Sequence, residues 1–203
     1  MDYKIIDIFP IAVMKFNFDN EFNESEFDFI NKCEESTIKN SGNSYSNNSY
    51  VLNDTSMKRI KDFSNKCLNI YFENIYSPVS NSKLKITQSW INYTNLNEYH
   101  HPHTHTNSII SGVFYVSADK QVDRITFAKN TYQQIEIEYK QANDYNTSEL
   151  DIRVGKNELI LFPSSLLHYV PPTSNKNKRI SIAFNSFVEG TIGKDFKLNE
   201  LKL

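Results

Sequence analysis

Apolar positions change their spacing along this chain, and the change divides it. Residues Tyr3 to Phe18 alternate loosely, with Ile5, Ile8, Val13 and Phe16 apolar, and predict a strand broken at Pro10. Asn23, with Glu26 three residues on, predicts a capped helix start. Phe27, Ile30, Cys33 or Glu34 and Ile38 continue it at helical spacing. Asn40 to Asn48, rich in Ser, Asn and Gly, reads as a loop. A second helix is expected from Asp54-Thr55, with Met57, Ile60, Phe63, Cys67, Ile70 and Tyr71 as its apolar stripe. Both helices read as amphipathic elements that cover one face of a sheet.

From Lys83 the period is two. Leu84, Ile86, Gln88, Trp90 and Asn92 are expected on one face of a strand. The next strand runs from Ser108 to Val116, with Ser111 and Tyr115 on one side and Gly112 on the other. Arg124–Phe127 and Leu159–Phe162, ended by Pro163, read as further strands. Between them, Ala128 to Arg153 reads as an exposed hairpin arm, because Ile135, Ile137 and Tyr139 alternate with Glu136 and Glu138. Its length and its Tyr132, Tyr139 and Tyr145 suit a flap over a site or a contact in an oligomer. In the last strand Arg179, Ser181, Ala183 and Asn185 share one face, and Ile180, Ile182 and Phe184 the other. A polar face opposite an apolar one points to a polar pocket inside a sandwich or jelly roll. The expected fold is mainly β with N-terminal helices. The 203 residues suffice for a single domain. Residues 1–80 would supply a strand and two packing helices, and 83–190 the β core.

Composition narrows the partners. The net charge of −2 and the scattered Lys and Arg create no field for nucleic acid or an anionic membrane. Cys33 and Cys67 show no C-x-x-C spacing and read as reduced, buried thiols of a cytoplasmic protein. The early acids at the N-terminus argue against a secretory signal, and no apolar stretch approaches the roughly 20 residues of a membrane helix. A homo-oligomer is compatible with all of this.

The chemistry gathers in Tyr99–Ser108. His100, His101, His103 and His105 fall within six consecutive residues, and the fifth histidine, His168, stands alone. Imidazole is the commonest metal ligand. Ligands at i, i+2 on an extended segment point to the same side. His103 and His105 have that spacing, as do His101 and His103, and His168 is the histidine available to close the site. Three imidazoles accept Fe, Zn, Cu or Ni. Arg179, eleven residues after His168, narrows the choice: a guanidinium on an inner face needs an anion, its fork matches a carboxylate, and Ser181 can add a hydrogen bond. A metal beside a carboxylate anchor describes a site for a dicarboxylate cosubstrate.

The run from Trp90 to Phe187 resembles the Fe(II)- and 2-oxoglutarate-dependent oxygenases, and most closely a group found in marine bacteria and phages. The matching pieces are Trp90-Ile-Asn92, His103-Thr-His105-Thr-Asn-Ser108, Ser111-Gly-Val-Phe-Tyr115, Leu161-Phe-Pro163, His168-Tyr-Val-Pro-Pro172 and Arg179-Ile-Ser-Ile-Ala-Phe-Asn185. They cover about half the chain in the family's order, and Ile8-Phe9-Pro10 is also similar. The resemblance implies a double-stranded β-helix, as in cupin-like jelly rolls. It also implies an Fe(II) centre and conversion of 2-oxoglutarate and O2 to succinate and CO2 as a C–H bond is oxidised. His103 and His168 match the family's histidine ligands. Arg179 and Ser181 match its cosubstrate clamp, and Tyr115 and Asn92 stand where further cosubstrate contacts are placed.

One departure matters. The superfamily pairs its histidines with a carboxylate, whereas this chain has His105 in that position. The third ligand is then His105 or a water, or the register is His101 and His103. Glu98 and Asp119, the nearest acids, lack the spacing. Two other classes fit the same residues. One is a cupin-like three-histidine metal protein without 2-oxoglutarate chemistry, and the other is a structural jelly roll with a vestigial site.

Overall fold

The structure, a computed structural model, describes residues 1–79, 82–129, 137–174 and 176–203. The chain opens with an exposed segment and pairs only after Pro10, in β1 (Met14–Asn17). The predicted strand is therefore shorter than its alternation. Proline offers no N–H to a ladder, and Phe9 before it sits at a φ of 57°. Helix α1 (Glu24–Glu34) starts as expected: the Asn23 side chain accepts from the Glu26 N–H at 2.9 Å, and Glu26 accepts from the Asn23 N–H at 2.8 Å. It ends before Ile38, whose helical spacing is coincidental. Ile38 lies in β2 (Thr37–Lys39), which forms a hairpin with β3 (Ser44–Ser46). The expected loop at 40–48 is thus half strand, turned at Gly42 with a φ of 101°.

Asp54 accepts from the Ser56 N–H at 2.9 Å and starts a short 3-10 turn that leads into α2 (Lys58–Ile75). Met57, Ile60, Cys67, Leu68 and Tyr71 are buried, while Ile70 stays exposed at the edge of the stripe. No helix among the described residues is long and apolar enough to cross a membrane.

Ten strands follow: β4 (Lys83–Thr94), β5 (His100–His103), β6 (Ile110–Ser117), β7 (Arg124–Ala128), β8 (Glu149–Arg153), β9 (Glu158–Pro163), β10 (Leu167–Val170), β11 (Arg179–Glu189), β12 (Thr191–Ile192) and β13 (Leu201–Lys202). The larger sheet has the order β1-β9-β6-β11-β4-β3-β2, and a second has β5-β10-β7-β8. Strands from β4 to β11 cross between the two, so that β9-β6-β11-β4 faces β8-β7-β10-β5. This is the double-stranded β-helix, with β1 and the β2–β3 hairpin widening one sheet. The arm expected at 128–153 needs correction: its last five residues are β8, paired in register with β7. Tyr132 and Ile135 lie outside the described residues.

The larger sheet separates two environments. Its outer face packs on the helices through Ile91, Tyr93, Phe114, Ile182 and Phe184 with Ile60, Leu68 and Tyr71. Its inner face meets the smaller sheet around Tyr115, Ile125, Phe127, Ile160 and Phe162. Leu84 and Ile86 were expected beside Gln88, Trp90 and Asn92. They belong instead to the outer core with Ile91 and Tyr93. The register explains the difference: Asn185 faces Gln88 but Ser186 faces Ile86, so Thr87 is an extra residue in a bulge. One inserted residue exchanges the faces of everything beyond it.

Gly112 lies beneath the ring of Phe184, its partner across β6 and β11. A Cβ there would sit 2.1 Å from a ring carbon. Gly112→Ala should therefore destabilise the protein by about 1–3 kcal/mol, the range for overpacking a filled core. A lower denaturant midpoint at unchanged m checks it; an unchanged midpoint would mean that the ring moves freely.

Candidate active site

Two short strands deliver the histidines. β5 and β10 pair with His103 opposite His168. Past the end of β5, the His105 N–H donates to Ser164 O at 2.9 Å and turns the chain so that its ring joins the other two. Ring centroids lie 4.3 Å apart for His103 and His168, 5.0 Å for His103 and His105, and 5.1 Å for His105 and His168. One ring nitrogen of each lies within 4.8 Å of the others, and no acid joins this group among the described residues.

Each ring is held from behind. Nδ1–H of His103 donates to His101 O at 2.8 Å, and Nδ1–H of His168 donates to Leu166 O at 2.9 Å. A carbonyl can only accept, so both protons sit on Nδ1 and both Nε2 atoms carry lone pairs. The Asn185 side chain hydrogen-bonds the His105 ring. Nε2 of His105 lies 3.3 Å from Nε2 of His168. This tethering of the far nitrogen is how proteins orient metal-binding imidazoles.

The rings are kept neutral. Burial, reinforced by His103, lowers His168 to about 3. Burial and then His103 lower His105 to about 4, against the opposing Asn185 bond. Burial also lowers His103. His168 lies within β10, 4 % exposed, with its ring 4.6 Å from that of Phe162.

The polar face of β11 builds the second part. Asn92, Ser181 and Tyr115 stand side by side across β4, β11 and β6. Arg179, two residues before Ser181, is 3 % exposed, donates from Nη1 to Arg124 O at 3.4 Å, and lies 5.2 Å from the Tyr115 ring centroid. Arg179 Nε, the Tyr115 hydroxyl and Asn92 Oδ1 are buried without hydrogen-bond partners among the described residues. Burial raises the Tyr115 pKa, so its hydroxyl stays a donor. Two buried donors, one of them cationic, are what a carboxylate satisfies.

Beside His105 a groove of about 480 Å³ opens, lined by Tyr50, Gln88, Thr106, Asn107 and Asn185 among others. Tyr50 was not a candidate from the sequence, whereas Asn107 lies within the histidine-bearing motif. Tyr50 reaches the groove through its bridge to Ser89, and Asn107, two residues after His105, turns with a φ of 54°. The alternative register is also visible, because His100, His101 and His103 form a second compact group.

Residues 88–185 match the family model described as "Putative 2OG-Fe(II) oxygenase". This part of the chain belongs to the 2OG-Fe(II) oxygenases. The oxygenase match begins and ends on Gln88 and Asn185, which face each other across β4 and β11. It makes the protein an oxidoreductase of the class that uses Fe(II), 2-oxoglutarate and O2. Solved structures agree on the fold. An oxidoreductase of the 2OG-Fe(II) oxygenase family from Burkholderia pseudomallei is 10% identical with a TM-score of 0.57, over 86% of this chain and 83% of that one. HygX from Streptomyces hygroscopicus, solved with nickel, 2-oxoglutarate and hygromycin B, is 10% identical at 0.58, over 87% and 82%. A Pseudomonas putida prolyl-4-hydroxylase is 10% identical at 0.54, over 86% and 92%. No curated protein matches the sequence.

Proposed function

We propose that this oxygenase is a hydroxylase that binds Fe(II) through His103, His105 and His168 and anchors 2-oxoglutarate on Arg179. The observation that carries the anchor is the pair of buried donors without an acceptor, Arg179 Nε and the Tyr115 hydroxyl, on the paired strands β11 and β6 of the sheet that faces the histidine-bearing strand pair β5 and β10. The donor set fits the metal: three neutral imidazoles with lone pairs turned inward occupy one face of an ion and leave its other positions open. When bound, Fe(II) supplies the oxygen chemistry that couples decarboxylation of 2-oxoglutarate to oxidation of a substrate C–H bond.

The chain's own residues orient and enclose. Arg179 and Tyr115 would hold the distal carboxylate, with Ser181 and Asn92 beside it on the same face. Phe127 and Phe162 pack against His168 and keep water from its ring. Substrate would enter by the groove at His105, whose lining carries no charged side chain. We read residues 1–80 as a packing shell and 83–190 as the core of one domain. Two free thiols, with Cys67 pushed up to about 12 chiefly by burial, support a cytoplasmic location.

The test is to titrate 2-oxoglutarate into anaerobic Fe(II) protein and follow the metal-to-ligand charge-transfer band. A band, with succinate formed on admitting air, is expected. No band would favour the three-histidine protein without 2-oxoglutarate chemistry. His105→Asp restores the family's carboxylate and should keep both iron and band. His105→Ala should weaken Fe(II) by more than about 100-fold, since even the partners behind a ligand are worth about 10–100-fold. Fe(II) affinity indifferent to His105→Ala would leave a two-histidine site.

A further inference from the structure

His100 and His101 take no part in the reading above, yet they are built into the same cluster. With His103 they form a second group of three imidazoles whose ligand nitrogens lie within 4.8 Å of one another. The His100 ring stacks on His103 at 4.5 Å, and His101 lies 5.2 Å from both. Nδ1 of His101 is buried without a hydrogen-bond partner. The Asn40 amide, from the turn after β2, donates to His100 Nε2 at 3.2 Å, so Nε2 carries the lone pair of that ring, and an ion would take this lone pair in place of the amide. His101 thus has a buried nitrogen short of a partner, and the His100 lone pair is met only by an amide that an ion can displace.

We propose that His100, His101 and His103 form a second position for a borderline divalent ion such as Zn(II) or Co(II), and that this position and the first exclude each other. The exclusion follows from His103. Its Nδ1 is committed to His101 O, so one nitrogen, Nε2, is open to metal and must serve either group. His103 then acts as a pivot between two ion positions. Three imidazoles suit the tetrahedral preference of Zn(II) and Co(II), whereas Fe(II) stands lower in the divalent affinity order. An ion held at the second position would leave the first position empty, and Zn(II) should therefore inhibit without displacing every histidine.

The experiment is Co(II) titration followed by its visible d–d bands, on the full chain. The parent should bind one equivalent. His168→Gln, which removes a ligand of the first group alone, should still bind one, and adding His100→Ala and His101→Ala to it should abolish binding. Where His168→Gln fails to fold, His105→Ala takes its place, read in the same way. A folded variant of the first group that binds no Co(II), or Co(II) binding unmoved by loss of His100 and His101, would overturn the second position. Two equivalents bound to the parent would overturn the pivot. None of these outcomes depends on 2-oxoglutarate, so failure of the oxygenase anchor is read separately, from its charge-transfer band.

Discussion

Arg179→Ala should raise the 2-oxoglutarate dissociation constant by two to three decades while leaving Fe(II) affinity unchanged. The guanidinium is 3 % exposed, and its removal leaves a carboxylate buried without a counter-charge. Breaking such a pair costs about 3–5 kcal/mol, and about 1.4 kcal/mol corresponds to one decade. Arg179→Lys should recover only part of the loss. An ammonium is a point charge and cannot make the fork, and it forfeits the planar contact over Tyr115. The midpoint of the charge-transfer titration reads the effect. The same midpoint in parent and Arg179→Ala would keep the cosubstrate but remove its anchor.

The second large effect belongs to His168. His168→Ala should abolish the 2-oxoglutarate charge-transfer band and weaken Fe(II) by more than about 100-fold, because it removes a ligand and not merely a ligand's support. It should also destabilise the fold, which a surface histidine would not. The ring is buried against Phe162 and Phe127, so truncation leaves a cavity worth about 2–4 kcal/mol. His168→Gln separates the two effects: it should lose the band as fully while the denaturant midpoint falls less. A band retained in either variant would exclude His168 from the iron.

Much of the β core could be read from alternation because a strand between a helical layer and a facing sheet must alternate. β6 and β11 show it directly, with Gly112 and Phe184 outward and Ser111, Tyr115, Arg179 and Ser181 inward. Spacing carried less where pairing, not composition, makes the strand. β2 and β3 are three residues each and mostly polar, joined through Gly42, and they are strands because β3 finds the edge of β4 at Ser44 and Tyr45. Ile38 fell on a helical spacing by chance, and the helix had already ended at Glu34. The histidine group was visible through its i, i+2 spacing, which survives the end of β5. His100 was not visible as a candidate, because its place depends on stacking over His103 and on Asn40, sixty residues earlier. The groove at His105 was invisible for the same reason: Tyr50, Asn107 and Gln88 come from three separated segments.

Thr87 has a consequence for how this protein can vary. The extra residue sits where β4 passes from the outer core to the mouth of the barrel, and it lines the groove there. Without it, Ile86 would directly precede Gln88 in an unbroken ladder, and Leu84 and Ile86 would still face the helices while Gln88, Trp90 and Asn92 faced the interior of the barrel. The fold is thus indifferent to the length of the chain at this point, and the entrance is not. A single insertion or deletion at this point can reshape what the site admits while the barrel, the histidines and the arginine stay where they are.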